Sequence, residues 1–336
     1  MSAPSPSMYS GAAKQTAARL GLKMGRANLE AFAATLLERA RADRNVIAVT
    51  SDSRGSGKLT AFGQALPKQI VEMGIAEQNL VGVAAGLASA GKNVFAVSPA
   101  CFLTARALEQ IKNDVAYSDN PVTLVGISAG VSYGALGTTH HSLHDFASLR
   151  AINNLTIIVP ADNYETSAAV EFAATVQRPV YLRFGKASLY DLPVSEFACG
   201  RARVLREGPN CKDVAFIASG ETVIHALLAA AWLAEQHGVQ SRVVSMATIK
   251  PLDAEAVLAC ARECRAVITV EEHMVYGGLG EACASVIAQA GLSVRFKIVG
   301  IPDEYTVTGS QADIFRHYGI SMEGLVEVAL KLSRCD

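Results

Sequence analysis

The chain has 336 residues, half of them hydrophobic and 18% charged, and its 30 Lys and Arg against 31 Asp and Glu leave a net charge of −1. With the basic residues scattered, there is no electrostatic footprint for nucleic acid or an anionic membrane, and no apolar run reaches the roughly 20 residues that a membrane span needs. Seven cysteines without regular spacing argue against a secreted disulfide framework and point to a cytoplasmic protein, while a mean hydropathy of +0.25 leaves apolar surface for large interfaces.

Residues 1–23 carry Pro4-Ser5-Pro6-Ser7, no Asp or Glu and no continuous apolar core, and read as a flexible arm rather than a secretory or transit segment. From residue 24 to 190 the short apolar runs VIAVTSD, NVFAVSP, VTLVGIS, LTIIVP and PVYLRF alternate with amphipathic stretches, one opening at Glu77 and one running from Ala107 to Val115. Such runs are the strands of a parallel sheet covered on both faces. Asp191, Pro193, Gly200, Gly208 and Pro209 then interrupt any period, so residues 191–209 read as a linker. A second alternation fills residues 210–336: VAFIASG, a helix through Ala226 to Ala234, RVVSMAT, a helix through Ala254 to Ala261, AVITVEE, a helix after Gly280, VRFKIVGIP and a closing helix from Met322 to Leu332. The expected fold class is α/β, as two consecutive layer-sandwich domains. Cys260 and Cys264, four apart in a helical pattern with no second Cys or His pair, read as buried helix residues rather than zinc ligands.

Ligands of open parallel sheets gather at the carboxyl ends of strands, and Asp52, Glu77, Phe102, Ser128 and His140 all fall there. Glu77 sits on the turn Gly74-Ile75-Ala76-Glu77 ahead of the apolar run LVGVAAGLASAG. The plain reading of a carboxylate in a first helical turn is attraction to the helix dipole, worth about 0.3–1 kcal/mol. Its company favours a functional one. In Tyr133-Gly-Ala-Leu-Gly-Thr-Thr-His-His-Ser-Leu-His-Asp145, three histidines fall within five residues, but no ligand set accompanies them and no metal site is expected. Gly134 and Gly137 suggest a sharp loop that turns His140 into a cleft as a proton shuttle or hydroxyl reader. Arg183 could meet a substrate phosphate or carboxylate or pair with a surface carboxylate. No Gly-rich phosphate loop is present, so the sequence reads as half of an active site.

GIAEQN, CFLTARALEQIKNDVA (101–116), GALGTTHH, IIVPAD and EEHMVYGGLG, in this order, resemble the C-terminal half of transketolase, and more closely the smaller subunit of split transketolases, which carries the pyrimidine-binding and C-terminal domains. The resemblance implies transfer of a two-carbon ketol unit from a ketose to an aldehyde through thiamine diphosphate. It implies that Glu77 hydrogen-bonds N1' of the aminopyrimidine, a role for a carboxyl that burial helps to keep protonated, that Phe102 stacks on that ring, and that His140 reaches the donor hydroxyls and moves a proton. Asp52 is expected beside the cofactor. Diphosphate and Mg2+ (or Ca2+) would be held by a GDG element with a downstream Asn; this chain has no GDG. A partner subunit carrying that domain is therefore expected, in an α2β2 heterotetramer. Leu136 replaces the acidic reader of a sugar hydroxyl, and Ser128 stands where a donor-reading histidine is expected. Losing one such hydrogen bond costs about 1–3 kcal/mol, which puts common pentose phosphates in doubt. His273 is implied to have a structural and interface role. The alternatives are a β subunit of a 2-oxo acid dehydrogenase decarboxylase, a 1-deoxyxylulose-phosphate synthase-like acyl transferase, and a catalytically silent regulatory homologue.

Overall fold

The computed structural model describes residues 7–193, 196–208 and 212–334. Along the first half run α1 (Gly11–Arg19), β1 (Met24–Ala27), α2 (Asn28–Ala42), β2 (Val46–Thr50), α3 (Thr60–Ala65), β3 (Ile70–Glu72), α4 (Glu77–Ser89) and β4 (Asn93–Pro99). There follow α5 (Ala100–Arg106), α6 (Leu108–Gln110), a π-helical stretch at Ile111–Tyr117, β5 (Val122–Ile127), α7 (Asp145–Arg150), β6 (Thr156–Ile158), α8 (Asn163–Thr175), β7 (Val180–Arg183) and β8 (Ser188–Tyr190). The second half holds β9 (Arg203–Arg206), β10 (Val214–Ala218), α9 (Val223–His237), β11 (Ser241–Ser245), β12 (Thr248–Lys250), α10 (Ala254–Glu263), β13 (Ala266–Met274), α11 (Leu279–Gln289), β14 (Arg295–Ile301), α12 (Gln311–His317) and α13 (Met322–Arg334).

The apolar runs become buried strands: every residue of β2, β5 and β10 is buried, as helices on both sheet faces require. The first sheet has the order β12-β6-β7-β5-β4-β2-β3 and the second β14-β13-β10-β11-β9. Within these two sheets pairings are parallel except for β12 on β6 and β9 on β11, and β1 and β8 form a separate antiparallel pair. Side-chain caps fix several helix starts. Asp162 accepts from the Glu165 N–H at the start of α8, and Ser310 and Asp313 form a reciprocal capping box on α12, each satisfying otherwise orphan donors. One apolar cluster lies between the first sheet and α2 and α8, and another runs from α4 and the π-helical stretch into the second domain at Val244, Met246 and Val257. The two domains thus share a core.

Four expectations need correction. Within the expected flexible arm of residues 1–23, Ser10 caps α1, and Tyr9, Ala13 and Ala17 are buried in the second domain's core beside α9. Alanine on one helical face suffices because the opposing α9 is itself lined with small residues. The expected linker 191–209 contains β9, an edge strand of the second sheet, whose Arg203 is buried against Glu165 at 2.6 Å; Pro209 lies outside the described residues. The single helix expected through Ala107–Val115 starts only after Ala107, which leaves helical geometry (φ −103°, ψ 20°), and runs as the single turn α6 before becoming π-helical at Ile111. Lastly, β12 pairs with the first domain's sheet, Thr248 facing Ile158. Cys260 and Cys264 are buried apolar thiols, and burial pushes the Cys260 thiol up to about 12. No helix among the described residues is long and apolar enough to cross a membrane.

Candidate active site

Sheet order explains which residues meet. β5, β4, β2 and β3 are consecutive neighbours, so Ser128, α5, Asp52 and the Gly74–Glu77 turn leave the same edge of the sheet from four adjacent strand ends. Glu72, at the end of β3, ties two of these turns together: Oε1 accepts from the Asp52 and Gly74 N–H groups at 2.6 and 3.2 Å, and Oε2 accepts from the Thr50 hydroxyl at 2.6 Å. Burial raises its carboxyl, but those three hydrogen bonds and the Arg54 charge outweigh it and hold Glu72 below the ordinary carboxylate range. Sequence reasoning missed Glu72; its place at the end of a short apolar run, two residues before a glycine turn, was the available signal.

Glu77 opens α4 with a side chain only 2% exposed, at the wall of an open cleft of about 680 Å³ lined by Ile75, Ala76, Gln78, Asn79 and Arg106. The Arg106 Nη1 donates to Glu77 Oε2 at 2.9 Å, and the same guanidinium lies over the Phe102 ring, Cζ 4.5 Å from its centroid. The Phe102 ring meets His140 edge-on at 5.4 Å, and His140 meets Tyr133 in the same manner at 5.3 Å. Glu77, Phe102 and His140, distant in sequence, form one continuous chain of contacts.

The His140 loop is held by its neighbour. His141 is buried, its Nε2–H donating to the Gly134 carbonyl at 3.0 Å and its Nδ1 accepting from the Thr306 hydroxyl at 2.6 Å. Burial, with the adjacent His140, holds the His141 imidazole below its ordinary value, and so in the neutral form this pairing uses. Gly134 and Gly137 take φ of +48° and +71°, a region that L side chains enter only at a cost. His140 Nδ1 lies 2.9 Å from the Thr139 hydroxyl, which leaves Nε2 as the ring nitrogen not engaged by that contact.

The remaining expected residues divide. Asp52 is exposed just after β2 with φ +52°, and Ser128, at the end of β5, has φ +52° too. Left-handed conformations at non-glycine residues cluster at functional sites. Ser128 is fully buried, and its hydroxyl lies toward the Tyr133 phenol without completing a hydrogen bond. Leu136 is 54% exposed on the loop crest. Arg183 is the correction. It is buried, its Nε donates to Asp145 Oδ2 at 2.7 Å, its Nη2 donates to the Ser142 and Glu272 carbonyls at 3.1 and 2.8 Å, and it stacks over Phe146. A guanidinium so engaged locks the two domains and does not greet a substrate. His273 joins the same lock, stacked on Phe146 at 4.8 Å with Nδ1–H donating to the Met274 carbonyl.

Two cations were overlooked. The Lys186 Nζ stands 3.8 Å from the Tyr133 ring centroid, and burial, with the Lys58 charge nearby, lowers its affinity for a proton. Lys186 is thus linked through the Tyr133 ring to His140, whereas Lys58 pairs with Glu30 at 3.1 Å. Among the described residues no group of three or more His, Cys, Asp or Glu is placed to hold a metal ion.

Comparison with known proteins gives matches to both domains. Residues 25–191 match the family description "Transketolase, pyrimidine binding domain" and residues 200–325 match "Transketolase, C-terminal domain". The chain is 47% identical to an apulose-4-phosphate transketolase subunit of Phocaeicola vulgatus over 90% of its own length and 96% of that protein's. It is 35% identical to a 6-deoxy-6-sulfo-D-fructose transketolase subunit of a Clostridium species, over 88% and 90% of the two lengths. Its fold superposes on a split gene transketolase described as an inactive beta4 tetramer with a TM-score of 0.81 and 36% identity, covering 92% of this chain and 98% of the other. The chain belongs to the transketolase family.

Proposed function

We propose that this chain is the pyrimidine-binding half of a split transketolase, completed by a separate subunit that grips the diphosphate and its Mg2+ (or Ca2+) in an α2β2 assembly. The observation that carries this reading is the meeting of Glu77, Phe102 and His140 at one sheet edge. The residues fit the pyrimidine end of thiamine diphosphate. A buried carboxyl oxygen and a flat aromatic face already hold a planar, nitrogen-bearing group here, the Arg106 guanidinium. When bound, the cofactor supplies the electron sink for the two-carbon carbanion. Glu77 would hold a proton at the pyrimidine nitrogen, Phe102 would fix the ring plane, and His140 Nε2 would carry a proton to or from the donor hydroxyl. Ile75, 74% exposed at the cleft, and Leu136 offer apolar surface to a partner chain.

Lys186, one ring away from His140, supports an anionic substrate, such as the 4-phosphate in the name of the Phocaeicola relative. Leu136 supports a donor whose hydroxyl pattern departs from that of common pentose phosphates, since an apolar side chain there leaves a buried hydroxyl unpaired. The test is reconstitution with the diphosphate-binding subunit and measurement of glycolaldehyde transfer from a panel of phosphorylated ketoses. Wild type should transfer the unit, and Glu77→Gln should lose at least about 100-fold in kcat, the scale of a lost acid–base group, while still assembling. Full activity in Glu77→Gln would overturn the assignment.

A further inference from the structure

The chemistry of Arg106 has no place in the proposed reaction, yet its position is specific. Its guanidinium makes two contacts at once: an N–H edge to the Glu77 carboxylate at 2.9 Å and a flat face over Phe102 at 4.5 Å. An aminopyrimidine activated by Glu77 makes the same two demands, a nitrogen edge on the carboxyl and a ring face on the aromatic. Both planar groups cannot occupy that space together. We propose that Arg106 is a built-in stand-in for the cofactor's pyrimidine, filling its place in the uncomplexed subunit and leaving when cofactor binds. The inference rests on the reading of Glu77 and Phe102 as the pyrimidine site.

The physical need is plain. Glu77 has a side chain 2% exposed, and a carboxylate withdrawn from water without a partner is costly. A pyrimidine would be that partner in the assembled enzyme; before assembly something else has to be. Arg106 meets the need and is easily dismissed. It stands in the last turn of α5, its side chain is half exposed, and a cation there is also favoured by the helix C-terminus when swung into solvent. Because Arg106 is half in solvent, water screens its side of the ion pair and of the cation–π contact, so the stand-in opposes cofactor entry modestly rather than blocking it. It also opposes entry most where the diphosphate end has no grip, which ties occupancy of the site to the presence of the partner subunit.

The experiment is a titration of thiamine diphosphate with Mg2+ into the isolated chain and into the reconstituted pair, followed by circular dichroism and calorimetry, for wild type, Arg106→Leu and Arg106→Gln. Removing the competitor should tighten cofactor binding in the pair by about three- to tenfold, with Arg106→Gln between Leu and wild type because its amide can still reach Glu77. Thermal unfolding of the isolated Arg106→Leu chain should show a lowered midpoint, as expected of Glu77 left alone. Cofactor binding that is unchanged or weaker in Arg106→Leu, with wild type binding normally, overturns the inference and leaves the proposed function standing. No saturable binding by the wild-type pair overturns the proposed function, and the inference with it.

Discussion

Replacing Arg183 by Leu asks how firmly charge holds the two domains together. In that variant the Asp145 carboxylate keeps the Tyr181 hydroxyl, 2.8 Å away, but loses its guanidinium partner, and the Ser142 and Glu272 carbonyls lose their shared donor. Asp145 is wholly buried. Stripping one partner from a buried pair costs about 3–5 kcal/mol, on the order of 5–10 °C in thermal midpoint for a chain of this size. In wild type, burial raises the Asp145 carboxyl but is outweighed by the Arg183 charge, nearby His273 and the hydrogen bonds from Arg183 and Tyr181, so the group sits below its ordinary 3.8. Its contribution is therefore present at neutral pH and lost only as pH falls through that lowered value. Without Arg183, the Tyr181 hydroxyl and His273 alone oppose burial and the folded-state value rises, so the penalty grows from about pH 4 to pH 7 and shrinks on acidification. Urea unfolding at pH 5 and pH 7 measures both limbs, and adding Asp145→Asn should recover much of the loss. A deficit under about 1 kcal/mol, or one equal at both pH values, would rule out this role for the pair.

Gly130 has φ +60°, and a Cβ there would come 2.2 Å from Glu272 Cδ. Gly130→Ala should cost roughly 2–5 kcal/mol from backbone strain plus overpacking, read by urea denaturation; a loss below about 0.5 kcal/mol would contradict the close approach. The stability of the isolated chain should peak on the acid side of neutrality. Burial pushes Glu271 up to about 8, and it raises Glu221 and Glu272 as well, these two sharing the Gln311 Nε2 donor at 2.7 and 2.8 Å. Their contribution is complete below the ordinary 4.5 and is lost as pH rises through about 8. His225 and His273, held down to about 4 by burial, contribute above the ordinary 6.5 and lose that contribution as pH falls toward 4. Glu221→Gln should flatten the alkaline decline, and a midpoint still climbing from pH 7 to pH 9 would oppose this account.

The strands and their parallel order were legible because a sheet covered on both faces leaves its mark as uninterrupted runs such as VIAVT and VTLVGI. Glu77, Phe102 and His140 were legible as strand-end residues, since topology alone sends them to one edge. What escaped depended on partners distant along the chain. Arg183 looks identical in sequence whether it faces substrate or Asp145, and only the folded seam between β7 and α7 decides. The helix α1 carries too few large apolar residues to announce a buried face; it is fixed by what α9 presents to it. Thr248–Lys250 reads as an extension of β11, because nothing local records that the chain changes sheets there. Arg106 could have been found: it stands four residues after Phe102 in a helical stretch, a spacing that places its guanidinium over the ring.

The strand that crosses between sheets sets the mechanical character of the subunit. Because Thr248–Lys250 forms the border of a layer whose other members all precede residue 184, neither half can swing aside as a hinged lid without laying bare a raw hydrogen-bonding margin. On the proposed reading, admission of a coenzyme is then an affair of side chains and of the neighbouring polypeptide, with the backbone of this one serving as a rigid jaw.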